Sequence, residues 1–242
     1  MVIQSWNVMI IILVAVIGYF FGNIQTALLI SRLVFHDDVR KYGSGNAGST
    51  NMIRVYGKKF GFMTLAGDAG KAALAFLLGR LLGRWLGLNV DDATLAAGYG
   101  GCICLLAAVI GHCYPVLYHF KGGKGAASCF ALMYCFCWPA ALAGTVAIVL
   151  IFLWTRRVSL VSMGTAILFV LFTGICVLLG WTEPYYFWFA VPAASLLIIR
   201  HIPNIKRLLR GEEPKLHLIH GKPLKDTEEN KEEDSRHGAK LH

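Results

Sequence analysis

Long apolar runs separated by short polar segments dominate the chain. The first run covers 8–34, and others cover 60–88, 93–117, 124–155, 158–180 and 184–203. Most are near the ~20 residues needed to cross about 30 Å of hydrocarbon. The pattern predicts an all-α integral membrane protein. The run 124–155 is too long for one comfortable span, and positive charge decides how it divides. As one span, it would put Arg156 and Arg157 on the face opposite the basic segments 35–59 and 118–125. Broken near Cys137-Trp138-Pro139, it puts them on the same face, together with the basic cluster that follows 200. The other face then carries Asp91, Asp92 and Glu183, with Arg84 nearly alone. Excess lysine and arginine mark the cytoplasmic side. About seven transmembrane helices are expected, N-terminus outside and C-terminus cytoplasmic. Each half of 124–155 would reach only about 24 Å, so it is little tilted or re-entrant. Residues 1–213 are expected to form a single transmembrane domain, and 214–242 a polar, disordered cytoplasmic tail. No internal repeat is visible.

Composition agrees with a membrane protein and removes other classes. Of 242 residues, 56% are hydrophobic and 15% charged, with mean hydropathy +0.58, which a soluble domain does not show. The net charge of +9 comes without a nucleic-acid-reading motif, so cytoplasmic loops and anionic headgroups or substrates explain it better. The seven cysteines all lie in or beside apolar runs, and none forms C-x-x-C. They are expected to be buried, inert thiols. The long first run, without a basic leader, is expected to be a retained span.

The polar segments carry the chemistry. Directly after the first run comes Lys41-Tyr-Gly-Ser-Gly-Asn-Ala-Gly-Ser-Thr-Asn-Met-Ile-Arg54. Gly43, Gly45 and Gly48 allow backbone N–H groups to converge. Ser44, Asn46, Ser49, Thr50 and Asn51 add neutral hydrogen-bonding groups, and Arg54 adds a planar cationic fork. Without carboxylates, this is an anion site, best suited to phosphate. The three glycines also satisfy G-x-G-x-x-G, but a dinucleotide fold needs a preceding strand and a βαβ unit, and here an apolar helix precedes. In the next apolar run, Asp68 and Lys71 share a helix face and can pair. Ionisable groups at such depth usually mark function or fix helix packing. A second loop follows His112: His119-Phe-Lys-Gly-Gly-Lys-Gly125, with Lys121, Lys124 and Gly122, Gly123 and Gly125. It is not a Walker A loop, because no glycine stands five residues before Gly123. Two lysines in a glycine turn that opens a helix still make a good phosphate cradle.

Taken together, three groups of residues resemble the signature motifs of one family. They are Gly43-Ser-Gly-Asn-Ala-Gly-Ser-Thr-Asn-Met-Ile-Arg54; Gly111-His-Cys-Tyr-Pro with Phe120-Lys-Gly-Gly-Lys-Gly125; and Arg200-His-x-x-Asn-Ile-x-Arg207 with Gly211-Glu212. The family is that of the bacterial acylphosphate-dependent glycerol-3-phosphate 1-acyltransferases. Asp68-x-x-Lys71 also resembles its second helix, and the likeness covers about 8–213. The resemblance implies a seven-span enzyme of the bacterial plasma membrane with its active site facing the cytoplasm. Such an enzyme transfers a fatty acyl group from acyl phosphate to the 1-hydroxyl of glycerol 3-phosphate. It gives lysophosphatidic acid and phosphate, in the first acylation of phospholipid synthesis. Ser49 departs from the family motif, where alanine is frequent, and the tail after 214 is long.

The residues suit this chemistry on their own terms. Both substrates carry phosphate, so several cations and N–H donors are needed, and the fatty chain requires an opening to lipid. No H-x₄-D is present, so the acid/base pair of acyl-CoA-type acyltransferases is missing. The resemblance implies His201, Asn204 and Ser44 as candidate catalytic residues. Gly43, Gly45, Asn46, Thr50, Asn51, Arg54, Lys121, Gly122, Gly123, Lys124 and Gly125 are expected to bind phosphate. Asp68, Lys71, His112, Arg200, Arg207 and Glu212 are expected to support them, with Glu212 pairing a loop cation. Arg200 and Arg207 also fit ordinary flanking charge. The proton acceptor is either His201 or a phosphate oxygen of the donor. No metal and no cofactor is expected. Expected partners are the two substrates and the lipid bilayer, with other phospholipid-synthesis enzymes as candidates, and no nucleic acid. A transporter of phosphate esters is the competing class, although it should show repeated halves.

Overall fold

A computed structural model describes residues 5–86 and 92–216, and its described residues are helical or irregular with no strand. The expected acidic turn 89–91 and the tail beyond 216 lie outside the described residues. Among the described residues the α-helices are α1 (Ser5–Gly22), α2 (Thr26–Phe35), α3 (Ser49–Tyr56), α4 (Lys58–Trp85), α5 (Ala93–Cys113), α6 (Ala126–Phe136), α7 (Trp138–Thr155), α8 (Val158–Leu178), α9 (Pro184–Arg200) and α10 (Ile202–Leu209).

The first apolar run is not one uninterrupted helix. It breaks at Asn23–Gln25, and the break is anchored by its own polar side chains. Asn23 Nδ2 donates to the Tyr19 carbonyl at 2.8 Å, and its Oδ1 accepts from Leu117 N–H at 3.2 Å. Gln25 Nε2 donates to the His112 carbonyl at 3.1 Å. Irregular backbone at membrane depth persists where protein groups satisfy it. Behind the break, α1 lies close against α5. A Cβ at Gly18 or Gly22 would collide with the backbone carbonyls of Cys104 or Ala108. The same close approach joins α4 to α5 at Gly79 and Gly100. Small residues let membrane helices meet backbone to backbone, where packing rather than hydrophobicity drives association.

The run 124–155 divides where the charge argument placed the break. α6 ends at Phe136, Cys137 is extended with φ −156°, and α7 starts with Pro139 in its first turn. Proline is tolerated there because those N–H groups have no helical partner. The two halves are unequal. At 11 residues α6 rises only about 16 Å, whereas the 18 residues of α7 rise about 27 Å. Among the described residues, five helical stretches are long and apolar enough to cross a membrane. They are 7–35, α4, α5, α7 and α8. A sixth is obtained if α9 and α10, bent by 53° at His201, form one span. The expected number is about seven, and α6 is a further apolar helix that falls short of this length.

A second difference concerns 35–59, expected as one loop. It contains a 3₁₀ turn, Val39–Lys41, and then α3. α3 buries Asn51, Met52, Val55 and Tyr56, and Phe35 stacks on Tyr56 with ring centroids 3.9 Å apart. Beyond α10 the chain folds back, and Leu216 N–H donates to the Arg156 carbonyl at 2.7 Å. Leu216 is buried.

Candidate active site

The two glycine loops, the starts of α6 and α8 and the bend between α9 and α10 surround one cavity of about 80 Å³. It adjoins a wider cleft of about 630 Å³, and both are walled by Ser44, Asn46, Lys124, Asn204 and Arg207. Each wall has a local cause in the sequence.

The first loop is shaped by glycine and fastened by Asn51. Gly43 and Gly45 have φ of 59° and 67°, which L side chains avoid. A Cβ on Gly43 would strike Asn51 Oδ1. That oxygen accepts from Ser44 N–H at 2.9 Å, while Nδ2 donates to the Val39 and Tyr42 carbonyls, both at 3.1 Å. Asn51, expected to bind phosphate, lines the cavity, and its amide also holds the loop in shape. Ser44, Asn46, Thr50 and Arg54 do line the cavity, whereas Gly43 and Gly45 do not. Gly45 borders the outer cleft. Arg54 has no hydrogen-bond partner among the described residues. Burial lowers its pKa, with Glu213 opposing the shift. An arginine nonetheless remains a cation.

The second loop rests on His112. Gly123 N–H donates to the His112 carbonyl at 3.1 Å. A Cβ on Gly122 or Gly123 would collide with that carbonyl or with His112 Nε2. Arg200 clamps the loop from above. Its guanidinium lies 4.9 Å from the Tyr114 ring centroid and donates to the Gly123 carbonyl at 3.1 Å and the Gly122 carbonyl at 3.3 Å. These contacts fix the loop, so Arg200 shapes the site rather than merely flanking a helix. Lys121 is exposed on the outer cleft. Lys124 reaches inward, and its ammonium donates to Asn204 Oδ1. Burial, above all, and then the cation of Arg207 lower the Lys124 pKa to about 8.

The third wall centres on a carboxylate that the sequence reading misplaced. Glu212 is exposed, and Glu213 is buried and makes the pairing expected of its neighbour. Glu213 Oε1 accepts from Asn204 Nδ2 at 2.7 Å, and Oε2 accepts from Arg207 Nε at 2.8 Å. Burial opposes its ionisation, but the bonds from Asn204 and Arg207 hold its pKa below the usual carboxylate value. The chain Lys124–Asn204–Glu213–Arg207 is therefore one polarised network. His201 Nδ1 lies 2.9 Å from the Leu197 carbonyl. A carbonyl can only accept, so Nδ1 carries a proton, and in the neutral imidazole Nε2 keeps a lone pair. Ser159 and Ser162 from α8 also line the cavity. Sequence reasoning missed both, because a serine in an apolar run gives no signal by itself.

Beneath the cavity lies a buried triad. Lys71 Nζ is 2.9 Å from Asp68 Oδ1 and 2.9 Å from His112 Nδ1, and also donates to the Ile24 carbonyl. All three ammonium protons are thus used. Thr26 Oγ1 donates to Asp68 Oδ1 at 3.0 Å. The triad ties the α1–α2 break to α4 and to the histidine under the second loop. A further cross-tie went unforeseen: Arg40 pairs with Asp38 at 2.7 Å and donates to the Lys121 carbonyl at 3.2 Å, linking the two loops. Among the described residues, no group of three or more His, Cys, Asp or Glu is placed to hold a metal ion.

The chain is similar to known proteins in sequence and in fold. The family model described as glycerol-3-phosphate acyltransferase matches residues 12–211. A protein named glycerol-3-phosphate acyltransferase from Anaeromyxobacter sp. (strain Fw109-5) is 38% identical over 216 residues, covering 89% of this chain and all of that relative. One of the same name from Pseudomonas paraeruginosa is 37% identical over 201 residues, covering 83% of this chain and 97% of the relative. The crystal structure of PlsY, an integral membrane glycerol 3-phosphate acyltransferase, in its glycerol 3-phosphate form superposes with TM-score 0.71. It is 31% identical and covers 86% of this chain and 96% of PlsY. The lysophosphatidic acid form of PlsY gives TM-score 0.70 at 30% identity.

Proposed function

Because the chain belongs to the glycerol-3-phosphate acyltransferase family, we propose that it transfers a fatty acyl group from acyl phosphate to the 1-hydroxyl of sn-glycerol 3-phosphate. The products are 1-acylglycerol 3-phosphate, which is lysophosphatidic acid, and phosphate. The observation that carries the reading is the cavity in which Arg54, Lys124 and Arg207 converge around a single network carboxylate, Glu213. Asp68 also borders the cavity, but Lys71 offsets it, so three cations against Glu213 leave positive charge for a phosphate ester. Ser44, Asn46 and Thr50 supply neutral donors beside it.

In this scheme Lys124, held by Asn204, and Arg54 grip the phosphate groups of donor and acceptor. The glycerol hydroxyl oxygen attacks the acyl carbonyl. The C–O bond to phosphate then breaks, and phosphate leaves with the bonding pair. The hydroxyl proton goes to His201 Nε2 or to a phosphate oxygen. Acyl phosphate is already activated, so the second acceptor suffices when a strong protein base is absent. Ser159 and Ser162, at the start of α8, border the same space. The apolar helices around the cavity bring a lipid-borne donor to it.

The scheme places the chain in the bacterial inner membrane with the cavity on the cytoplasmic side. It has seven membrane segments, α6 being the short one, with the N-terminus outside and the C-terminus inside. The shared basic face of the glycine loops, Arg156, Arg157 and the segment after α9 supports this orientation. Labelling of Arg156→Cys from the outer side by an impermeant maleimide would overturn it. The activity is tested with purified full-length protein, acyl phosphate and labelled glycerol 3-phosphate. Lysophosphatidic acid should form, and replacing acyl phosphate by acyl-CoA should abolish it. Robust turnover with acyl-CoA would reject acyl phosphate as the required donor.

A further inference from the structure

At the end of the helices opposite the cavity, two thiols meet. Cys137 is the extended residue between α6 and α7, and Cys176 lies in the last turn of α8. Both are buried, and their Sγ atoms are 2.8 Å apart although 39 positions separate them. The corner is fixed from both sides. Thr182 Oγ1 donates to the Phe136 carbonyl at 3.0 Å, and Trp181 N–H donates to the Cys176 carbonyl at 2.8 Å. A disulfide bond is about 2.0 Å long, so the two sulfurs already lie close to bonding distance. The Cys137 side is open. Cys137 borders an open cavity of about 200 Å³ whose walls include Cys135, Phe136, Trp138 and Trp181. Cys176 does not border it.

We infer that Cys137 and Cys176 form a dithiol that closes to a disulfide when an external disulfide, small molecule or oxidoreductase, enters this cavity. The Cys137 thiolate attacks one sulfur of the external disulfide and expels its other half as a thiolate. The Cys176 thiolate then attacks Cys137 Sγ in the mixed disulfide and expels the second half. The protein gives up two electrons and two protons, and the external disulfide leaves as two thiols. The bond couples the far ends of two helices whose first turns, beside Lys124 and Ser159, wall the catalytic cavity. For its source of oxidant the inference rests on the proposed topology, which puts this corner outside, where disulfides persist. The thiol geometry does not depend on that orientation.

The test uses full-length protein in detergent and the apolar aromatic disulfide dithiodipyridine, followed by peptide mass spectrometry. The expected product is a Cys137–Cys176 link with no pyridyl adduct on either residue. Cys176→Ser should trap the pyridyl mixed disulfide on Cys137, and Cys137→Ser should leave Cys176 a free thiol. Unchanged acyl transfer verifies that each variant is folded. A stable pyridyl adduct on Cys137 of the parent, two unmodified thiols, or a Cys135–Cys137 link would each overturn the inference. A separate sample, alkylated at harvest from whole cells, reads the compartment. A link there supports both the pair and the topology. Free thiols there, with closure by dithiodipyridine in detergent, would support the pair and count against the outward orientation.

Discussion

Replacing Arg54 with alanine should reduce kcat/KM for glycerol 3-phosphate by roughly 100-fold while leaving the protein no less stable. Arg54 sits in the last turn of α3, half-buried, facing the cavity without a hydrogen-bond partner among the described residues. A hydrogen bond to a charged group contributes about 1.5–3 kcal/mol. A guanidinium can hold two phosphate oxygens at once, so the upper end applies. About 1.4 kcal/mol is tenfold in rate, which gives roughly 100-fold. Arg54→Lys keeps the charge but loses the fork, and should recover about half of that free energy. The stability arm separates binding from structure. Burial already disfavours the Arg54 charge. Truncation therefore removes an incompletely paired cation and should not lower the unfolding midpoint. The assay is steady-state phosphate release in a detergent with a neutral headgroup, beside a thermal melt. An Arg54→Ala variant that stays folded and keeps within a few-fold of the parent for both substrates would refute the phosphate role.

Two further outcomes follow from the network around Asn204. The Lys124 pKa is lowered to about 8 by burial first and Arg207 second; the ammonium exists below that pH and is lost above it. The profile of kcat/KM for glycerol 3-phosphate should therefore fall as pH rises through about 8, and a flat profile to about pH 10 would contradict this. Glu213→Gln keeps shape but weakens the bond to Arg207, whose side chain is 38% exposed and so partly screened. The loss should be about tenfold in kcat/KM, against no more than about twofold for Glu212→Gln, and equal effects of the two would show that Glu213 does not organise the site.

The sequence made the polar machinery visible because its pattern breaks the apolar background. Glycines beside amides and lysines between long apolar runs pointed to both loops, and the structure brings them to one cavity. Asp68 and Lys71 were legible as a pair because helix geometry alone puts them on one face. The break at Cys137 was legible from Arg156 and Arg157, since charge sidedness constrains topology. What escaped needed three dimensions. Glu213 rather than Glu212 turns inward because the chain after α10 folds back to Leu216, and adjacent glutamates carry no sign of which does so. Asn51 looked like a ligand group, and its three bonds to Val39, Tyr42 and Ser44 also fasten the loop. The eight residues of α3 were hidden by a composition typical of turns. Cys137 and Cys176 are brought together by helix packing over a long sequence separation, which spacing rules do not reach.

The central claim is that this cavity moves an acyl group from phosphate to glycerol 3-phosphate. The most direct measurement is the stoichiometry of phosphate and lysophosphatidic acid released by purified full-length protein given acyl phosphate, with and without glycerol 3-phosphate and in the presence of a chelator. The account predicts equal amounts of both products, formed only when both substrates are present and undiminished by the chelator. Phosphate release that proceeds equally fast without glycerol 3-phosphate, or with no lysophosphatidic acid formed, would contradict it.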